Sequence, residues 1–406
     1  MDSQKLVKNN LTYAATLAAG EVSSLRITED KRTTVRVYDG GFIGVAGRIG
    51  AGDDAALVAQ AQGALAQKIP YPDAVGTGEV RQVNLKKQII AEGDFLNTVR
   101  RLAARLKESF PRFIFSDKFY LDNGSIIYTD TAGTKLSFSA GEVAMGLSIK
   151  AAGSANIMDL WYGASRDYYD EDAVVADIAQ LLDVYENKLP LPEGDVPVII
   201  ETSAVQYILR HLVAEMYSSG ASLFSGKLGE KLFGGEVDLL IDRTPGRNAS
   251  VPFFDTEGVT LPEDKFYFIK EGTLCGLATY KRSAAMLNMP LSGNGYASFD
   301  GVPQCGNFGG LKMDTHGKKL SEVPVERAIY VAVTSGGDMT PDGNLAMPVM
   351  LAYLYEGGRF VGTLPEFGIS AGIFDLLGKD LIAVAENNIF GYRKEDVIVT
   401  KFSINR

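Results

Sequence analysis

The 406-residue chain is predicted to be an α+β protein, an N-terminal helix-and-sheet domain followed by a mostly antiparallel, β-rich C-terminal domain. Three observations predict this class. The length exceeds the roughly 250–300 residues at which a single hydrophobic core stops growing, so two domains are expected. A proline-rich segment, LPLPEGDVPVIIE, opposes regular structure near the middle. It places the boundary between Pro190 and Asp195 and divides the chain into residues 1–190 and 191–406. Beyond it, short glycine-punctuated strands follow one another too closely for parallel crossovers, which need about a dozen residues or more, so antiparallel pairing is predicted.

In the first half, Leu6, Leu11, Ala14, Ala15 and Leu17 recur at helical intervals and predict a helix over residues 2–19. Residues 23–50 alternate like paired strands broken at Gly40 and Gly41. Asp53 and Asp54 stand where caps are needed for the alanine-rich helix AALVAQAQGALAQK, which Pro70 and Pro72 end. Asp94 likewise opens FLNTVRRLAARLKESF, whose Phe95, Val99, Leu102, Ala103 and Leu106 share one face. SIIYTDTAGTKLSFSAGEVAMGLSIKA reads as strands about a turn at Ala132 and Gly133, and DEDAVVADIAQLLDVYENK as a helix with acids in its first turn. In the second half, SAVQYILRHLVAEMYSS predicts one continuous helix, and EVDLLIDR, FYFIKEGTLCGLATY, AIYVAVTS and VMLAYLYEGGRFVGTL supply strands.

Hydrophobic residues make up 46% of the chain and charged residues 22%, with a mean hydropathy of +0.02, a composition that folds. Forty Lys and Arg stand against 50 Asp and Glu, a net charge of −10 and a pI near 5.0. That sign opposes the phosphate neutralisation on which nucleic-acid binding depends, so no direct nucleic-acid contact is expected. Two cysteines, Cys275 and Cys305, exclude a disulfide framework or a four-cysteine zinc site and fit a reducing compartment. The N-terminus lacks the apolar core of a signal peptide and no run approaches the ~20 apolar residues of a spanning helix. A cytoplasmic protein without membrane contact is the expectation.

Several segments resemble chemical motifs. Gly220 to Leu228 imitates a phosphate-binding loop, but the glycine spacing is one residue too long and Leu228 stands where a hydroxyl would hold magnesium, so a tight turn is expected. Gly368 to Gly372 matches a nucleophile-elbow pattern around Ser370, yet both histidines, His211 and His316, precede it, whereas such an elbow needs one later in the chain. His211 and Glu215 would share a helical face, one ligand short of a zinc site. Asp255 and Glu257 in FDTEG, and Asp338 in TSGGDMTPDGN, sit in glycine-bearing loops where carboxylates serve either tight turns or a hard cation or peptide backbone.

Taken together, GDVPVIIETSAVQYILRHL, GASLFSGKLGEKL, FDTEGV, IKEGTLCGLATYKRSAAMLN, SGNG, VPQCGN and LAYLYEGGRFVG resemble the TldD/PmbA family, the so-called modulators of DNA gyrase, in that family's order from Gly194 to Asp380. The resemblance implies an N-terminal α/β layer, a C-terminal domain of antiparallel strands, and a dimer enclosing a chamber for extended peptides. Catalytic members carry HExxxH on the helix before the GASLFSGKLGE-like block and a further cysteine ligand near the C-terminus. Here the three motif positions fall on Val205, Gln206 and Arg210, and GISAGIFDLLGKDLIAVAEN contains no cysteine. The chain therefore resembles the non-catalytic PmbA (TldE) side of the family, with no metal and no cofactor expected. Arg210, His211, Asp255, Glu257 and Asp338 are its candidate peptide-binding residues. The partner implied is a peptide or unfolded segment, together with a second copy or an HExxxH-bearing homologue. Two other readings stay open: a metal-dependent peptidase using His211, Glu215 and a loop carboxylate, and a homodimeric peptide-binding protein without chemistry.

Overall fold

The first 166 residues build one sheet from eight strands, β1 Asp2–Ala18, β2 Glu21–Asp39, β3 Phe42–Ile49, β4 Ile69–Pro70, β5 Val80–Asn84, β6 Phe113–Asp130, β7 Lys135–Ala151 and β8 Leu160–Arg166. Their order is β4-β3-β2-β1-β6-β7-β5, with β8 also on β7, and among the described residues only β5 runs parallel to its neighbour. Three helices accompany it, α1 Asp54–Ala64, α2 Phe95–Ser109 and α3 Glu171–Leu182. The computed structural model describes residues 1–72, 75–247 and 250–405.

The local signals hold in part: Asp94 stands just before α2, but its side chain makes no capping hydrogen bond among the described residues. Asp53 caps α1 by accepting from the Ala55 N–H, and Asp170 caps α3 by accepting from Ala173. All five residues predicted on the inner face of α2 are buried. Residues 2–18, however, are a strand and not a helix. β1 is paired with β2 and β6 along its length, and its covered face changes midway. Leu6 packs with Tyr128 and Phe138 at one end, whereas Ala15 and Leu17 pack with Phe95 and Leu102 of α2 at the other. Even-numbered residues are buried on one face and odd-numbered residues on the opposite one, so the period-two signal cancels and the residual spacing imitates a helix. Hydrogen-bonded neighbours on both edges override that weak local preference.

The second half carries a nine-stranded sheet formed by β9 Val198–Glu201, β16 Arg327–Thr334, β17 Asp338–Met339, β18 Asn344–Glu356, β19 Arg359–Leu364, β20 Phe367–Gly372, β21 Ala383–Glu386, β22 Asp396–Thr400 and β23 Ser403–Asn405. Its order is β21-β22-β9-β16-β18-β20-β23, with β17 and β19 on β18. The pairing is antiparallel except between β9 and β16. A four-stranded sheet, β10 Leu239–Asp242, β11 Lys265–Lys270, β12 Thr273–Leu274 and β15 Leu311–Met313, lies beside it, with a small hairpin of β13 Gly295–Tyr296 and β14 Gln304–Cys305. Helices are short: α4 Leu209–Leu212, α5 Ala214–Ser218, α6 Lys281–Leu287 and α7 Ile373–Leu376.

The continuous helix expected over 203–219 is broken. A 3-10 segment, Thr202–Ile208, leads into α4, Val213 is extended, and α5 follows. The cause is tertiary. The Ala278 N–H donates to Leu212 O at 2.7 Å and the Ala214 N–H donates to Ala278 O at 3.0 Å, so a passing segment takes the groups that would close the helical turn.

One apolar cluster joins α2, α3 and the far end of the first sheet to Tyr330, Tyr353 and Val397 on one face of the nine-stranded sheet. The opposite face packs with Leu239, Ile241 and Phe268 of the four-stranded sheet and with Val205, Ile208 and Leu212. Among the described residues no helix is long and apolar enough to cross a membrane.

Candidate functional site

β9 is the shortest interior strand of the nine-stranded sheet, and the site follows from its shortness. It pairs with β22 on one side, Val397 opposite Glu201, and with β16 on the other, Ile329 opposite Val198 and Tyr330 opposite Ile199. At Thr202 the chain leaves the sheet as the 3-10 segment. Beyond Ala332, the edge of β16 that faces β9 therefore has no strand beside it among the described residues, while its other edge stays paired with β18.

This open edge is lined from both faces. On one side Val331, Ala332, Thr334 and Met347 enclose a cavity of about 100 Å³ with Glu201, Ser203, Gln206 and Tyr207. On the other, Ala332 and Glu201 lie in a cleft of about 1130 Å³ that runs between the two halves, from Trp161 and Arg166 of β8 to Arg393 and Glu395 before β22. Gln206 is exposed, and Val205, next to it, is buried in the apolar core. Arg210 is exposed. An aliphatic group, an amide and a guanidinium provide neither imidazole, thiolate nor carboxylate, so these three positions do not fit zinc. Among the described residues no three His, Cys, Asp or Glu side chains converge as a metal ion would require.

His211 is buried and holds a loop. Its Nδ1 accepts the Leu223 N–H at 3.1 Å, its carbonyl accepts the Ser222 hydroxyl at 2.6 Å, and its ring packs edge-on against Phe224. Burial, and then the charge of Arg210, push its pKa below the usual imidazole range. Nε of the exposed Arg210 lies 3.1 Å from the His211 Nε2. The break at Val213 separates His211 from Glu215, which is exposed, so the two do not form the shared face that the spacing predicts.

Three residues at the head of the slot escape sequence reasoning altogether. Glu201 and Arg393, 192 positions apart, form an ion pair, and Arg393 Nη2 also lies 2.7 Å from Glu395 Oε2. Arg393 is 6% exposed, while each carboxylate side chain keeps about a quarter of its surface. Burial, then the charge of Glu395, push the Glu201 carboxyl up to about 8 against the pull of Arg393. A carboxyl of that strength both gives and takes protons near neutral pH, and the cluster as a whole carries one more negative than positive group. No spacing rule links these residues, because they meet only through the pairing of β9 with β22.

Asp255 and Glu257 belong to a different place. They are 1% and 0% exposed, under the first sheet, and do not form the solvent-facing loop their sequence suggests. Asp255 Oδ1 accepts from the N–H groups of Glu257 at 2.8 Å and Val259 at 3.0 Å, and Oδ2 accepts from Gly295 at 2.8 Å. Glu257 accepts from the Tyr71 hydroxyl and, at 3.0 Å, from the Lys281 N–H. Burial pushes both carboxyls up, and the charge of Arg243 opposes this at Asp255. Gly295 is required here, since a Cβ would stand 2.5 Å from Glu257 Oε2 and 2.7 Å from Asp255 Oδ2. The surrounding blocks tie in as well: Asn294 Nδ2 donates to Asn307 O at 2.7 Å, the Ser292 hydroxyl to Asn294 Oδ1 at 2.5 Å, and the Thr279 N–H to the Ser292 hydroxyl oxygen at 2.6 Å. FDTEGV, SGNG and VPQCGN are thus one buried knot.

The remaining motifs are structural. Asp338 is exposed at the start of β17, where its Oδ1 accepts the Met339 N–H at 2.8 Å. Ser370 lies inside β20, paired with β18 and β23, and not on a turn. The loop after Gly220 is a set of glycine turns with Gly226 and Gly229 at positive φ.

The family described as PmbA/TldA metallopeptidase C-terminal domain matches residues 193–404. A metalloprotease of Methanocaldococcus jannaschii is 27% identical over 199 residues, covering 47% of this chain and 43% of that relative, so the match spans less than half of the relative's length. Two solved structures share the fold. TldE from Thermococcus kodakarensis superposes with a TM-score of 0.81 at 16% identity, over 100% of this chain and 97% of that one. A candidate modulator of DNA gyrase from Thermotoga maritima gives 0.74 at 17% identity, over 99% and 96%.

Proposed function

The chain belongs to the PmbA/TldA metallopeptidase family, and from that premise we propose that it is a metal-free subunit of a cytoplasmic peptide-processing complex, seating an extended peptide while a second chain supplies the hydrolytic metal. The observation that carries this reading is the open edge of β16 above Gln206. An unpaired row of backbone donors and acceptors takes an extended chain of almost any sequence, because the affinity comes from main-chain hydrogen bonds. That is what a subunit handling unfolded segments needs. Of the three positions that the resemblance aligns with the metal motif, Gln206 lines the cavity at this edge, while Val205 is buried in the core and Arg210 is exposed beside His211, and this supports a seat without the metal chemistry.

The test uses the full chain, a set of unstructured peptides and an HExxxH-bearing homologue from the same genome. Peptides are expected to bind to this chain without being cut, and cleavage, read by mass spectrometry, is expected to appear when the homologue is added. Cleavage by this chain alone that a chelator abolishes would replace the proposal with an active peptidase using other ligands.

A further inference from the structure

We propose that the Glu201–Arg393–Glu395 cluster receives the free α-amino terminus of the seated peptide, which continues the line of β9 and therefore runs parallel to β16. The inference rests on the reading of the β16 edge as the peptide seat and adds to it a polarity and a substrate class.

Position supplies the first argument. The vacant lane begins where β9 ends, at Glu201, with β16 on one side and the segment leading into β22 on the other. Neighbouring strands stand ~4.8 Å apart, so a missing strand leaves a lane about 10 Å wide between its former neighbours, enough for one extended chain. Glu201 borders both the cavity below the lane and the cleft above it, and Arg393 and Glu395 line the cleft. Whatever enters the lane along β9's line presents its first atoms to this cluster.

Charge supplies the second. Two carboxylates share one guanidinium, and the ion pairs described for Glu201 and Glu395 are both made with Arg393. Arg393 is too deeply buried to be exchanged for another group. The cluster lacks one positive charge, and in the free protein a proton on Glu201, whose carboxyl burial and then the charge of Glu395 push up to about 8, fills the deficit. An ammonium group fills the same deficit with three N–H donors. The opposite polarity would place an α-carboxylate here, a third negative charge around a single guanidinium.

The experiment measures binding, by fluorescence anisotropy, of an unstructured ten-residue peptide labelled at a C-terminal cysteine, with its amino terminus either free or acetylated. Charged hydrogen bonds set the expected preference for the free form at about 10- to 100-fold. In Glu201→Gln and in Glu395→Gln the preference is expected to fall to about threefold or less, with the acetylated peptide binding as it does to the unsubstituted protein. Equal binding of the two forms by the unsubstituted protein overturns the amino-terminus assignment and leaves the peptide seat standing. Failure of both forms to bind overturns the seat and the assignment together.

Discussion

The buried knot and the slot each gather two carboxylates near an arginine, yet they do opposite things. In the knot, Asp255 and Glu257 receive backbone N–H groups from three separate stretches of chain, and the Tyr71 hydroxyl from the first sheet completes the shell. In the slot, Glu201 and Glu395 share one guanidinium and keep a quarter of their surface open to a cleft. Carboxylates whose acceptor sites are filled by their own backbone fix a fold, whereas carboxylates left short of donors at the mouth of a cleft can accept a ligand. Family signature and binding chemistry are therefore only partly joined in this molecule: FDTEGV, SGNG and VPQCGN build the knot, whereas the slot joins Glu201, from GDVPVIIETSAVQYILRHL, to Arg393 and Glu395, which lie outside every quoted block.

The largest effect that follows is on Glu257. Glu257→Ala removes the acceptor of Tyr71 and of the Lys281 N–H in a fully buried setting that also holds Arg243. Breaking such a buried charged network costs about 3–5 kcal/mol. Glu395→Ala, which relieves repulsion with Glu201 in a partly solvated cleft, is expected to cost about 1 kcal/mol or less. Urea denaturation of the two variants measures the contrast, and equal losses would erase the distinction between the clusters.

A second pair sharpens the same point with glycines. Gly258 has φ of +72° and a Cβ there would stand 2.4 Å from the nearest Tyr128 ring carbon, whereas Gly226 has φ of +78° and open space around it. Both substitutions by alanine pay the left-handed backbone cost of roughly 1–2 kcal/mol. Only Gly258→Ala adds the overpacking of a buried ring, for a total of about 2–4 kcal/mol. Denaturation midpoints that coincide for the two variants would mean that the knot gives way without resistance.

What could be read in the sequence divides along similar lines. The cap at Asp53, the acid-led start of α3 and the buried face of α2 depend on residues within a turn or two of each other, and they were legible. β1 was not, because the partner that covers it changes along its length and cancels the alternation. The helix over 203–219 failed at Val213, where Ala278 takes the backbone groups, a partner that no local pattern announces. The family blocks revealed membership but not their role, since Asp255 and Glu257 look like turn carboxylates until the first sheet closes over them. Glu201 and Arg393 were invisible for the plainest reason, that strand pairing alone brings them together.

The smallest expected effect tests the slot through its protons. Glu201 has a folded pKa pushed up to about 8 from an ordinary 4.5. Between those values the folded chain holds a proton that the unfolded chain has released, so unfolding stability falls as pH rises through this window. Below about 4.5 both states are protonated and the group carries no penalty, and above about 8 the penalty is complete. Glu201→Gln cannot titrate and should flatten this part of the profile, gaining roughly 1–2 kcal/mol on the unsubstituted protein between pH 5 and pH 9, a figure reduced for the solvent that reaches the carboxylate. Asp396, raised by burial to about 6, titrates in the same direction and leaves a residual slope in both proteins. Urea unfolding at intervals across that range decides the matter. Parallel profiles for the two proteins would mean that Glu201 behaves as an ordinary paired carboxylate, and the slot would then have no deficit for an amino group to fill.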